Sequence, residues 1–156
     1  MKIAIGSDHA GFELKEYIKD NISLYISKNN KGEFVNIEIQ DFGTYSLDSV
    51  DYPDFAVKVG NSVANNKNEL GILVCGSGVG VSIAANKVKG IRAANVFNPE
   101  MAKLAREHNN ANIMTLGSRF IDQDTAMEMV MNFILEPFAG GRHATRVDKI
   151  HSLTGQ

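Results

Sequence analysis

The sequence predicts an α/β protein: a Rossmann-like three-layer α/β/α sandwich around a five-stranded parallel sheet. Two observations predict it. Short apolar runs of strand length alternate with longer stretches of helical spacing, in the order βαβαβαβαβα. Such alternation argues for a parallel sheet covered on both faces. Crossovers between parallel strands are right-handed, which narrows the topology further. The 156 residues, 44 % apolar and 22 % charged, suit one domain over 1–156 with a core of its own.

The elements follow in order. "KIAIG" at residues 2–6 is a short apolar run closed by a glycine, the form of a buried strand. From Gly11, Phe12, Leu14, Tyr17, Ile18, Ile22 and Tyr25 recur near helical spacing. "FVNIEIQDFG" alternates Val35, Ile37 and Ile39 and predicts a second strand. Pro53 suits the first turn of a helix running to Asn65. "LGILVC" is a third strand, and "VSIAANKV" a short helix ending near Gly90. "IRAANVF" is strand four, "NPEMAKLAREHNN" a capped helix, and "IMTLG" strand five. "DQDTAMEMVMNFIL" opens with acidic residues, as the helix dipole favours. The segment 142–156 is a last helix.

Composition also excludes. A net charge of −2 gives no electrostatic argument for nucleic acid or an anionic membrane. A single cysteine makes no internal disulfide and fits a reducing, cytoplasmic compartment. The N-terminus turns polar too early for a secretory leader, and no apolar run approaches the ~20 residues of a membrane span.

In parallel sheets, ligands bind beyond the carboxyl ends of the strands. Strand one is followed there by Asp8 and His9, strand three by "CGSGVG", and strand five by Arg119. Turns use Gly, Ser and Asp as hinges and caps, but neither His9 nor Arg119 is a good cap. Three alternate glycines, Gly76, Gly78 and Gly80, exceed the needs of a turn and let backbone N–H groups approach an anion. No Gly-Lys pair makes this a Walker loop, and position 81 is Val, where a phosphatase-type loop has Arg. What remains is an oxyanion formed during catalysis. A thiolate beside such donors suits attack on a carbonyl or removal of a proton next to one. The loop alone leaves both open.

Arg142 and Arg146 are four apart, on one face of a helical tail, and make either a phosphate clamp or a solvated basic face. His108 and Asn109 close the helix before strand five, near the amino edge, whereas Cys75 lies at the carboxyl edge. His108 is then either a helix-end histidine favoured by the dipole or a residue of a neighbouring subunit's site. No His, Cys, Asp or Glu group has metal-site spacing.

The segments "GSDHAGF", "DYPDFA", "GILVCGSGVGVSIAANKVKGIRAA", "REHNNANIMTLGSR" and "GGRHATRV" resemble the ribose-5-phosphate isomerase B family, which includes galactose-6-phosphate and allose-6-phosphate isomerases. The resemblance runs nearly end to end. It implies an aldose–ketose isomerase that works through a cis-enediolate, without metal or cofactor. By position, Cys75 would carry the proton between C1 and C2. The N–H groups of Gly76, Ser77, Gly78, Val79 and Gly80, with the Ser77 hydroxyl, would hold the enediolate. His108, with Asp8 nearby, would assist ring opening. His9, Arg119, Arg142 and Arg146 would bind phosphate, Asn109 the sugar, and Tyr52 would line the pocket. The family implies a homodimer, or a higher assembly, with sites shared across the interface. That gives His108 its reach to Cys75. One departure is the connection around residues 24–36, longer than the family's by roughly ten residues where 2–6 is usual.

Three other readings carry their own tests. A 6-phosphohexose substrate would keep the proton chemistry. A phosphosugar-binding protein without turnover would not need Cys75. A flavodoxin-like module would bind a flavin or nicotinamide nucleotide tightly.

Overall fold

The computed structural model describes residues 1–29 and 36–155. The chain order is β1 (Lys2–Ser7), α1 (Phe12–Asn29), β2 (Glu38–Asp41), α2 (Tyr52–Ala64), β3 (Leu70–Cys75), α3 (Val79–Ala85), β4 (Ala93–Asn95), α4 (Pro99–Asn109), β5 (Ile113–Gly117), α5 (Gln123–Leu135) and α6 (Arg142–Thr154). The five strands form one sheet in the order β2-β1-β3-β5-β4, every pair parallel. This is the three-layer α/β sandwich that the alternation predicts.

The pleat of β3 sorts the two faces. Leu70, Ile72 and Val74 join Ile3, Ile5, Met114 and Leu116 in a core with Ile18 and Ile22 of α1, Ala102 of α4, and Met127 and Phe133 of α5. Leu73 and Cys75 point the other way, with Ala4 and Ile113, against Ala56, Val59 and Val63 of α2 and Val81 and Ala85 of α3. Period-two alternation thus puts the Cys75 side chain on the α2/α3 face. α6 packs against α4.

Local chemistry sets the boundaries. Asn98 caps α4 by accepting the Met101 N–H at 2.9 Å, with Pro99 in the first turn. Asp122 caps α5 through the Thr125 N–H at 2.8 Å. Both match the preferred N-cap chemistry. Three expected elements are shorter in the structure. β4 spans Ala93–Asn95 instead of 91–97, because it is an edge strand with β5 as its one neighbour. α3 ends at Ala85, where Asn86 folds its side-chain amide back onto the Ser82 and Ala93 carbonyls. β2 begins at Glu38, and the expected contribution of Val35 lies outside the described residues.

A charged cluster forms around one buried lysine in these layers. The Lys15 side chain on α1 has no exposure, and its Nζ lies 2.7 Å from Asp41 Oδ2 at the end of β2. Glu16 and Lys19 complete a four-charge network. Asp41 Oδ1 accepts the Gly43 N–H at 2.8 Å. The Gly43 carbonyl accepts the Ser7 N–H at 2.7 Å, and Thr44 N–H donates to the Ser7 carbonyl at 2.8 Å. The network therefore fixes the loop that braces the end of β1. Burial alone would raise the Asp41 pKa, but hydrogen bonds from Lys15, Lys19 and the Gly43 N–H outweigh it, so the carboxyl lies below its usual range.

Candidate active site

Beyond the carboxyl ends of β1, β3 and β5 lies a cavity of about 220 Å³ lined by Asp8, His9, Ala10, Tyr52, Cys75, Gly76, Ser77, Gly80 and Arg119. Each side chain has a structural reason to be there. Asp8 Oδ1 accepts the Gly11 N–H at 3.0 Å, which closes the turn from β1 into α1. The Val50 N–H donates to His9 Nδ1 at 3.2 Å and ties the ring to the loop before α2. Tyr52 stands in the first turn of α2. The Arg119 N–H donates to the Gly76 carbonyl at 3.2 Å, so the loop after β5 is pinned to the loop after β3.

Cys75 ends β3 and is 4 % exposed. Its Sγ accepts the Gly78 N–H at 3.1 Å. Gly78 has φ +78° and ψ −17°, the left-handed conformation that glycine adopts without steric cost. Opposite Cys75 in the register stands Gly117, where a Cβ would come within 2.7 Å of the Ser77 carbonyl group. β5 therefore presses directly on the peptide of the Cys75 loop. Ser118 adds to the brace: its N–H donates to the Cys75 carbonyl at 2.9 Å and its hydroxyl to the Ala10 carbonyl at 2.8 Å.

The loop divides its donors. The Gly78 N–H serves Sγ, and the Val79 N–H lies 3.3 Å from the Ser77 Oγ. The cavity wall comes from Gly76, Ser77 and Gly80. Gly78 and Val79, expected in the same cradle, do not line it.

The remaining predicted residues lie elsewhere in the chain. His108, in the last turn of α4, stacks on His143 of α6 with ring centroids 4.2 Å apart and planes within 4°. Desolvation, then the charges of His108, Arg142 and Arg146, hold the His143 imidazole below its usual range. Asn109 lines a different hollow, of about 420 Å³, with Arg92, Ile150 and His151. Arg92 donates to the Asn110 carbonyl from both Nε (3.0 Å) and Nη2 (2.8 Å), which fixes the C-terminal end of α4. The predicted site thus separates into two groups. Asp8, His9, Tyr52, Cys75, Gly76, Ser77, Gly80 and Arg119 share one cavity. His108, Asn109, Arg142 and Arg146 belong to α4 and α6. The larger hollow lacks the thiol-and-loop arrangement, so size does not locate the chemistry here.

Sequence reasoning missed the residues behind the loop: Asn95, Thr115 and Ser118. A legible signal existed for Thr115, the one polar residue in the buried strand "IMTLG". Among the described residues, no three His, Cys, Asp or Glu side chains gather as a metal site requires. Among them also, no helix is long and apolar enough to cross a membrane.

A family model described as Ribose/Galactose Isomerase matches residues 3–150. A probable ribose-5-phosphate isomerase B of Mycoplasma pneumoniae is 42 % identical over 95 % of this chain and 91 % of its own. The Escherichia coli ribose-5-phosphate isomerase B is 40 % identical over 97 % and 95 %. The Clostridium thermocellum ribose-5-phosphate isomerase B structure superposes with a TM-score of 0.88, at 48 % identity over 99 % of this chain and 98 % of that one. A Mycoplasma genitalium ribose-5-phosphate isomerase B structure with bound ribulose 5-phosphate gives 0.84 at 41 % identity, over 99 % and 97 %.

Proposed function

This chain belongs to the ribose/galactose isomerase family, and from that premise we propose that it interconverts ribose 5-phosphate and ribulose 5-phosphate. The observation that carries the reading is the cavity in which the only cysteine meets a glycine loop, a carboxylate, an imidazole and a guanidinium.

The chemistry follows from those groups. The Cys75 thiolate takes the proton from C2 of the open-chain aldose. The electrons left on carbon form the C1–C2 double bond, and the carbonyl oxygen takes up the charge. N–H groups of the loop and the Ser77 hydroxyl receive that charge, the role of an oxyanion hole. The thiol returns the proton to C1 while the hydroxyl proton on O2 passes to O1, which yields the ketose. His9 and Arg119 bind the phosphate; a guanidinium matches its oxygens in a bidentate fork.

The separation of His108, Asn109, Arg142 and Arg146 from Cys75 supports a homodimer with a composite site. In it, a second copy brings His108 to open the furanose ring, Asn109 to hold the sugar, and Arg142 and Arg146 to complete the phosphate clamp. A single cysteine fits a cytoplasmic setting.

Two measurements test the proposal. The first is kcat/KM for ribose 5-phosphate against allose 6-phosphate and galactose 6-phosphate, with Cys75→Ala alongside. Preference for the pentose and a loss of about 10²–10⁴-fold in the variant are expected. A hexose preference overturns the substrate, and wild-type turnover in Cys75→Ala overturns the base. The second mixes Cys75→Ala with His108→Ala chains. Activity regained on mixing supports the composite site; none regained refutes it.

A further inference from the structure

Thr115 has no solvent exposure, in the middle of an otherwise apolar strand. A buried hydroxyl is costly unless bonded. Its hydroxyl donates to the Gly78 carbonyl at 3.0 Å and has a second contact, at 3.2 Å, with Asn95 Oδ1. Gly78 in turn gives its N–H to Cys75 Sγ at 3.1 Å. Asn95 of β4, Thr115 of β5, Gly78 of the loop and Cys75 of β3 thus form one connected line across three strands. There is no slack in it: a Cβ on Gly78 would lie 2.2 Å from Asn95 Oδ1 and 3.0 Å from the Leu116 carbonyl carbon.

We infer that Thr115 is a positioning residue for the Cys75 base: by holding the Gly78 carbonyl it fixes the rotation of that residue, so that the Gly78 N–H stays aimed at the sulfur. The inference rests on the reading of Cys75 as the base. A hydrogen bond to sulfur favours its ionised form. Gly78 has no side chain to restrain its own ψ. Its carbonyl accepts the Ser82 N–H at 3.2 Å from within α3, and the Thr115 hydroxyl adds a second, shorter restraint from across the sheet without entering the cavity. The groups that face Cys75 there are Asp8 and His9 from the loop after β1, Tyr52 from α2, and Arg119 from the loop after β5. A substitution at Thr115 leaves all four unchanged.

The test compares Thr115→Val, which keeps the shape and loses the hydroxyl, with Thr115→Ser, which keeps the hydroxyl. Cys75 is the sole cysteine, so the pH dependence of its alkylation by iodoacetamide reports on this sulfur without any substrate. In Thr115→Val the alkylation profile should move to higher pH by about half a unit to one unit. Turnover of ribose 5-phosphate near neutral pH should fall about threefold to tenfold, the range of one hydrogen bond, with KM changed less than about twofold. Thr115→Ser should restore both. Where valine prevents folding, Thr115→Ala removes the same hydroxyl with space to spare, and the same readings decide. An alkylation profile superimposable on wild type overturns the inference whatever the activity. A shifted profile in a protein that does not isomerise ribose 5-phosphate leaves the positioning intact and overturns the proposed function instead.

Discussion

Asp41→Asn removes one charge from the network around the buried Lys15 and keeps the shape. The aspartate accepts Lys15 at 2.7 Å, Lys19, and the Gly43 N–H at 2.8 Å. Lys15 has a side-chain exposure of 0 %, so its ammonium has no recourse to water once the carboxylate is gone. Breaking a buried pair from one side costs about 3–5 kcal/mol. Glu16 survives as a partner at 35 % exposure, which puts the expected loss at the lower end, about 3 kcal/mol. For a chain of this length that is roughly 6–12 °C in Tm. Lys15→Met should cost less, about 1 kcal/mol, because Asp41 keeps Lys19 and no cation is left stranded. Urea unfolding at one fixed protein concentration measures both. The folded-state pKa of Asp41 is depressed. Its contribution is therefore full above the unfolded-state value near 3.9 and is lost as pH falls through the folded-state value. The gap between wild type and Asp41→Asn should be widest near neutrality and close in strong acid. An Asp41→Asn protein within about 0.5 kcal/mol of wild type at pH 7 would refute the reasoning.

Two further outcomes are expected. Arg119→Ala should raise KM for the sugar phosphate about tenfold or more, as loss of a charge-assisted contact does, and change kcat less; an unchanged KM in steady-state kinetics removes Arg119 from the phosphate site. Incubation with EDTA should leave turnover unchanged. Activity lost in chelator and regained on adding a divalent metal would contradict a mechanism built on Cys75 alone.

The sequence stated much of this architecture because its signals were local. "LGILVC" forms β3 at the expected residues, and Asn98-Pro99 and Asp122 start their helices through their own side chains. What escaped was long-range. Lys15 carries no sequence signal of burial; that burial depends on Asp41, at the end of the strand that follows α1. The insertion of β5 between β3 and β4 has no local signature, yet it is what brings Thr115 and Gly117 against the Cys75 loop. In the site, residues beside the strand ends were legible by type: Asp8, His9, Cys75 and Arg119 line one cavity. The position of His108 at the amino edge was likewise legible from element order. Its stacking on His143 was not, because nothing in the spacing of α4 and α6 sets their mutual rotation.

The strand order has a consequence for the making of the protein. The last strand to be synthesised is an interior one, paired with β3 on one side and β4 on the other. A chain that ends before Ile113 leaves β4 without a partner and one edge of β3 bare. That edge belongs to a strand buried at every residue in the finished fold, the kind of surface that recruits other strands. Until the ribosome has delivered residues 113–118, the Cys75 loop lacks the brace that Gly117 and Ser118 provide. Native packing and the chemistry of the thiol are thus completed together, and a protein cut short there would be both sticky and inert.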